Sequence, residues 1–354
     1  MMTTPNPPFA TQTLRYGPAA IATAAALIAE GQPVAIPTET VYGLAADATD
    51  SHAVARIYAA KGRPSFNPLI VHVLDLAAAQ AIATFDETAL ALASAFWPGP
   101  LTLVLPLRAD AGIAALVTAG LPTIALRVPA HRAMRALLAA TGKPLAAPSA
   151  NASGAISPTR AEHVVASLGG RIPLVVDDGA TEAGLESTIV LGREVLRPGP
   201  ITAEALARVL GTLPTPDHHP GERRGPEETA AAACATPDNA PSVAGPRPSP
   251  GWKEGESREI TAPGQLASHY APRKPLRLNA TKAASDEYLI GFGPAVGIES
   301  LSPSANLTEA AANLFDALHR ADASDRARIA IAPIPSEGIG TAINDRLGRA
   351  AHRD

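Results

Sequence analysis

The sequence predicts an α/β protein in two folded parts, on three observations. Short apolar, β-branched runs interleave with helical patterns over about 200 residues, the signature of a largely buried sheet covered by helices. Residues 214–250 then hold nine prolines and a single branched aliphatic side chain, Val243, too little apolar surface to order a core. Beyond that stretch the strand–helix alternation resumes for about 80 residues. A chain of 354 residues, at roughly 150 per domain, fits this division.

Residues 1–13 are polar and rich in proline, and read as frayed. The apolar spacing over 19–30 predicts a helix, stopped by Gly31. Strands are expected at 33–37, 69–73, 101–105, 123–128 and 145–147, where β-branched or aliphatic runs are short and bounded by turn residues. Helices are expected at 53–60, 87–96 and 132–140. A helix at 161–168, strands at 174–177 and 188–191, and a helix at 202–210 complete the first part, assigned to 14–212. The linker spans 213–275 and contains Cys234, which reads as exposed and incidental. The second part, 276–354, reads as strand 288–292, helix 307–321, strand 328–332 and helix 342–351.

Composition removes several classes of function. Hydrophobic residues at 46% exclude wholesale disorder. A net charge of −4 excludes a globally basic nucleic-acid coat, though not a local basic cleft. One cysteine excludes an intrachain disulfide framework and a cysteine zinc site, and suits a reducing cytoplasm. No uncharged apolar run reaches the roughly 18–20 residues of a membrane helix. No secretory leader is expected, because the apolar run near the start lacks a basic flank and a cleavage site.

Common nucleotide signatures are missing. Thr141-Gly142-Lys143-Pro144 lacks the upstream glycine and the hydroxyl of a P-loop. The glycines of 291–297 are spaced one residue too widely for a dinucleotide fingerprint and carry a proline. Other segments are polar where a core would not want them. Pro37-Thr38-Glu39-Thr40-Val41-Tyr42-Gly43-Leu44 clusters hydroxyls, a carboxylate and a phenol after a strand, which is either a capping turn or a site. Lys61-Gly62-Arg63-Pro64 sets two cations two apart, as a solvated loop or a phosphate clamp. Ser149-Ala150-Asn151 offers small polar groups after a short strand, as an Asx or Ser turn or as phosphate ligands. Arg127 at a strand end and Arg197 before Pro198-Gly199 are further candidate anion binders, and Glu186-Ser187-Thr188 leads into a strand and reads as a turn. Several cations and hydroxyls at strand ends of one α/β domain suggest a polyanion site without a P-loop.

These segments in this order resemble the YrdC-like superfamily, and more closely its two-domain L-threonylcarbamoyladenylate synthases. The motifs Pro-Thr-Glu-Thr-Val-Tyr-Gly-Leu, Lys-x-Arg and Ser-x-Asn are specific in combination. The resemblance covers about 15–210 and continues through Ala262-Pro263-Gly264, His269-Tyr270-Ala271-Pro272 and Asn344-Asp345-Arg346-Leu347. It implies a twisted mixed sheet around a positive cavity, followed by a small Rossmann-like α/β domain. It implies synthesis of threonylcarbamoyl-AMP from L-threonine, bicarbonate and ATP, with pyrophosphate released. The product would pass to a separate transferase complex that modifies tRNA beside the anticodon.

By matching positions, the resemblance gives Lys61 and Arg63 to the phosphates. It gives Asn67, Thr123, Ser149, Asn151, Ser157, Arg197 and Tyr270 to the nucleotide, and Thr40, His72, Arg127 and Ser187 to threonine. Tyr270 would belong to a lid near 262–272. Mg2+ is expected with ATP, held by phosphates and water, because no acidic cluster marks a protein-built metal site. The resemblance leaves room for weak tRNA or double-stranded RNA binding, and for the carbamoyl-transfer chemistry of hydrogenase maturation proteins. The latter carry zinc-finger segments for which this chain's single cysteine is too few. Residues 214–250 are longer than a lid needs and read as a disordered insertion.

Overall fold

The computed structural model describes residues 9–211, 269–295 and 297–352. The expected linker at 214–250, Cys234 and the lid residues before His269 lie outside the described residues. Two sheets, both in one compact unit, organise the rest.

The first part runs β1 (Gln12–Arg15), α1 (Pro18–Ala29), β2 (Val34–Pro37), β3 (Tyr42–Asp47), α2 (Ser51–Lys61), β4 (Ile70–His72), α3 (Leu76–Ile82), α4 (Glu87–Phe96) and β5 (Leu101–Pro106). It continues with α5 (Ala115–Thr118), β6 (Thr123–Arg127), α6 (Arg132–Thr141), β7 (Leu145–Ala146), α7 (Ala161–Leu168), β8 (Leu174–Asp177), β9 (Thr188–Leu191), β10 (Glu194–Arg197) and α8 (Ala203–Leu210). The second part holds β11 (Leu276–Arg277), β12 (Glu287–Gly291), β13 (Glu299–Ser300), α9 (Leu307–Ala323), β14 (Arg328–Ile331) and α10 (Gly340–Ala351). Asp50, Asp75, Asp86, Thr202 and Asn306 start α2, α3, α4, α8 and α9 by accepting a backbone N–H of the first turn.

The ten strands of the first sheet lie in the order β1-β8-β2-β3-β7-β4-β6-β5-β9-β10. β1, β8 and β2 are parallel, as are β4 with β6 and β5 with β9. β3 and β7 are antiparallel to their neighbours, and so is β10, giving the expected mixed sheet. The centre is fully buried, with Ala35, Leu44, Val71, Leu103 and Leu126 on one side and Val34, Ile36, Ala45 and Leu145 on the other. The second sheet, β11-β14-β12-β13, is all parallel and packs on α9 and α10 through Leu314, Leu318, Ile329, Ile331, Ile343 and Leu347.

Two expectations change. Residues 12 and 13 do not fray, because they pair with β8 at the sheet edge. The polar Pro37–Leu44 segment is neither a helix cap nor an open loop. It is the turn of a β2–β3 hairpin, with Val34 opposite Ala45 and Pro37 opposite Tyr42. Thr38 caps that turn from within: its hydroxyl donates to the Val41 carbonyl at 2.8 Å and accepts from the Thr40 and Val41 amides.

Candidate active site

The hairpin turn, the ends of β4 and β6, the β7–α7 loop and the segment entering β9 meet at one end of the first sheet. They enclose a cavity of about 560 Å3, counting the space at its mouth. Of the residues expected to act, Thr40, Arg63, His72, Arg127, Ser149, Ser187, Arg197 and Tyr270 line it. Lys61 and Asn151 stand directly behind Ser149: the Lys61 ammonium donates to the carbonyls of Ser149 and Asn151, both at 2.5 Å. Ser157 reaches the wall by donating to the Glu186 carboxylate. Asn67 lies under the Arg63 guanidinium, which bonds its carbonyl at 3.3 Å. Thr123 stands apart, at the opposite end of β6 from Arg127, beside Pro106 of β5.

Local chemistry explains these placements. Gly62 closes α2 in the left-handed conformation at φ 61°, turning the chain so that Arg63 leaves the helix axis. The Arg197-Pro198-Gly199 segment lies against the entry to β9. A Cβ on Gly199 would sit 2.4 Å from the Thr188 amide nitrogen, so only glycine permits this approach. His72 and Arg127 are partners across the parallel β4–β6 pair, which brings both side chains to the same level of the sheet.

Two electrostatic zones result. In the first, Arg127 is buried and ion-paired with Glu39 at 2.6 Å. Its Nη1 donates to the Thr40 hydroxyl at 2.9 Å and its Nε to the Gly99 carbonyl at 3.2 Å. The Thr38 proton goes to Val41, so across the 2.7 Å Thr38–Thr40 contact Thr40 donates, and toward Arg127 it accepts. Glu39 also accepts from the amides of Ala130 and His131. Burial alone would raise the Glu39 pKa, but Arg127 outweighs it and holds the carboxyl below its ordinary value. His72 is pushed down to about 3, by burial first and then by the Arg127 charge, so its imidazole is neutral at neutral pH. The fork of Arg127 is thus partly committed. Two of its five N–H donors remain for a ligand.

In the second zone the cations are held by neutral groups. Lys61 bonds carbonyls alone, Arg63 bonds those of Asn67 and Pro68, and Arg197 bonds the Ser187 carbonyl and hydroxyl. None of the three has a carboxylate within ion-pair distance among the described residues, although Glu186 is near enough to act on Arg197. Burial, then Arg63 and Arg171, push the Lys61 pKa well down. Burial, then a ring of cations comprising Arg63, Lys61, Arg197 and Arg346, does the same to His269.

Buried polar atoms without a hydrogen-bond partner concentrate here as well. Among the described residues there are nine, and six belong to Asn67, His72, Asn151, His269 and Tyr270. In folded proteins such atoms are rare and mark places where a ligand completes the bonding. Tyr270 is fully buried in the left-handed region at φ 64°, with its hydroxyl beside Arg197 but not in a well-formed bond to it.

Sequence reasoning missed Glu39 as the partner of Arg127, Glu186 as a wall carboxylate, and His269 as the imidazole within the cation ring. Each was visible as an acid or a histidine adjacent to an assigned residue. The arginine partners of the two acids, 88 and 160 positions away, were not. No group of three or more His, Cys, Asp or Glu able to hold a metal ion occurs among the described residues, and no helix there is long and apolar enough to cross a membrane.

Fold and site define an α/β protein of the YrdC type, with a cation-lined cavity built without a P-loop. Two family models divide the chain: one described as "Telomere recombination" matches 26–199, and "Threonylcarbamoyl-AMP synthase, C-terminal domain" matches 201–352. The threonylcarbamoyl-AMP synthase of Bacillus subtilis is 38% identical over 94% of this chain and 92% of its own, and that of Pyrococcus abyssi 35% identical over 93% of each. A crystal structure of P. abyssi Sua5 complexed with L-threonine superposes with a TM-score of 0.78 at 33% identity, covering 96% of this chain and 97% of that one. The chain belongs to the two-domain threonylcarbamoyl-AMP synthase family.

Proposed function

We infer that this chain is an L-threonylcarbamoyladenylate synthase. It makes threonylcarbamoyl-AMP from L-threonine, bicarbonate and ATP and releases pyrophosphate, for the threonylcarbamoyladenosine modification of tRNA next to the anticodon. One observation carries the reading: a paired, geometrically fixed zone around Arg127 adjoins a zone of three carboxylate-free cations. The first suits a small zwitterion and the second a triphosphate.

Threonine's carboxylate takes the remaining donors of Arg127, with Thr40, His72 and Ser187 around its amine and hydroxyl. Thr40 keeps a lone pair for an amine N–H. The amine attacks the carbon of CO2, formed from bicarbonate by loss of water as a proton is taken up, and then loses a proton, giving a carbamate. A carbamate oxygen then attacks the ATP α-phosphorus in line. The new P–O bond forms as the α–β bridging bond breaks, and the electron pair leaves with pyrophosphate. The nucleophile is already anionic, so no protein nucleophile is needed; alignment and charge neutralisation supply the catalysis.

Lys61 and Arg63 take the phosphates, exchanging backbone carbonyls for phosphate oxygens, and an adjacent polyanion restores the charge that burial withdraws from Lys61. Ser149, Asn151, Ser157, Asn67, Arg197 and Tyr270 serve the nucleotide, whereas Thr123, at the far end of β6 from Arg127, stands apart from the cavity. Glu186 on the wall and Glu39 behind Arg127 are each paired with an arginine, which leaves no unpaired carboxylate at the cavity among the described residues. Mg2+ would therefore be bound by phosphate oxygens and water, where it offsets triphosphate charge. The product would go to the tRNA threonylcarbamoyl transferase complex.

Pyrophosphate release from ATP tests this reading. Release that needs both threonine and bicarbonate, with a threonylcarbamoyl-AMP mass peak, is expected. Release independent of threonine from folded, ATP-binding protein would overturn the substrate assignment.

A further inference from the structure

One side chain of the second part stands directly behind a wall of the cavity. Arg346 lies on α10, within the Asn344-Asp345-Arg346-Leu347 motif that the reaction leaves without a role, and it is completely buried. Its Nε donates to Glu186 Oε2 at 2.8 Å, its Nη2 to the Glu186 carbonyl at 3.5 Å and its Nη1 to Asp345 Oδ2 at 2.6 Å. The guanidinium carbon stands 5.2 Å from the centre of the Tyr270 ring. The other Glu186 oxygen accepts the Ser157 hydroxyl. A single guanidinium thus touches a wall carboxylate and the lid phenol, and through the carboxylate fixes Ser157.

Each contact addresses a problem the nucleotide side would otherwise have. A bare carboxylate on the wall of a polyanion cavity repels the ligand, and repulsion is strong where water is excluded. Arg346 neutralises Glu186 from behind, leaving Lys61, Arg63 and Arg197 unopposed. Tyr270 adopts a left-handed backbone conformation that a non-glycine residue keeps only when its surroundings hold it there. Arg346 supports one side of its ring and Phe315 of α9 stands 5.7 Å away, while the next residue's amide bonds the Gly154 carbonyl at 2.8 Å. The threonine zone makes no hydrogen bond to Arg346.

We propose that Arg346 is a positioning residue for the nucleotide side of the reaction: it neutralises Glu186, orients Ser157 and seats Tyr270. The proposal rests on the reading of the cavity given above. It predicts a split that simple packing between the two parts would not produce, since a packing role lowers melting temperature and leaves the ligand constants of the folded protein unchanged.

The test uses the full-length chain with R346Q, E186Q and the double variant E186Q/R346Q. ATP binding is measured by calorimetry without threonine, and the KM values for ATP and threonine by pyrophosphate release. R346Q should weaken ATP binding about tenfold, because the Glu186 charge is then uncovered. E186Q should tighten ATP binding severalfold, because Arg346 then faces the cavity less neutralised. The double variant should return toward the wild-type value. The threonine KM should stay within about twofold throughout. Unchanged ATP binding in folded R346Q and E186Q overturns the proposal, as does a parallel change in the threonine and ATP constants. If R346Q fails to fold, E186Q decides alone: unchanged ATP binding refutes and tighter binding supports. A wild-type protein that binds ATP but shows no threonine-dependent release refutes the reading of the reaction, while the binding series still judges Arg346.

Discussion

Glu39→Ala removes the carboxylate that orients Arg127, and its consequences can be worked from the geometry. The pair sits at 2.6 Å with side chains only 4% and 9% exposed. Truncation leaves a buried guanidinium without its counter-charge, which typically costs about 3–5 kcal/mol. The amides of Ala130 and His131 lose their acceptor in the same change. At roughly 2–4 °C per kcal/mol for a protein of this size, the melting temperature should fall by about 6–20 °C. A guanidinium no longer held by Glu39 loses its aim at a carboxylate, and about 1.4–2.8 kcal/mol of lost threonine binding is a 10–100-fold rise in the threonine constant. ATP binding without threonine should change little. Thermal melts and calorimetry of Glu39→Ala beside Glu39→Gln, which keeps an acceptor for the amides, read these quantities separately. A Glu39→Ala protein that melts within about 2 °C of wild type and binds threonine normally would refute the argument that Glu39 holds Arg127.

Arg63→Ala should abolish most threonine-dependent pyrophosphate release while lowering the melting temperature by only a few degrees, since the side chain bonds loop carbonyls; a large fall would make it structural. His72 has a folded pKa of about 3 against 6.5 unfolded, so the unfolded chain binds the extra proton between those values. Stability is therefore full above about pH 6.5 and falls with pH below it, by about 1.4 kcal/mol per pH unit from this group. His72→Gln should lose less stability between pH 6.5 and 4 in denaturant titrations, and an unchanged slope would refute the assignment. Deleting residues 220–245 should leave turnover largely intact; a folded but inactive deletion would show that the segment acts.

The order of strands and helices was legible because buried strands such as 101–105 and 123–128 are aliphatic and bounded by turn residues. β3 was not. Its Tyr-Gly-Leu-Ala-Ala-Asp sequence has weak strand propensity, and it becomes a strand by pairing with β2 and β7. β11 and β13 are two residues each, too short for a pattern, and β10 is a half-charged edge strand (Glu-Val-Leu-Arg) whose pairing with β9 makes it one. Local motifs marked the cavity well, since Lys61, Arg63, Thr40 and Ser149 fall within segments too polar for a core. What they could not show was which acid pairs with which base. Glu39 and Arg127 meet across 88 positions, and Glu186 and Arg346 across 160. Such pairs are products of topology, and no local pattern records them.

The cations tethered by carbonyls have a practical meaning for handling this protein. A charge restrained by dipoles surrenders little when an anion arrives, whereas one locked to a carboxylate must first break that pair. Lys61, Arg63 and Arg197 thus form a small anion exchanger that favours charge before identity. If these three side chains hold the nucleotide as proposed, sulfate or inorganic phosphate in a buffer would compete with it, and so would released pyrophosphate. Selectivity must come from the rest of the cavity, and forward flux depends on how quickly pyrophosphate is cleared from around it.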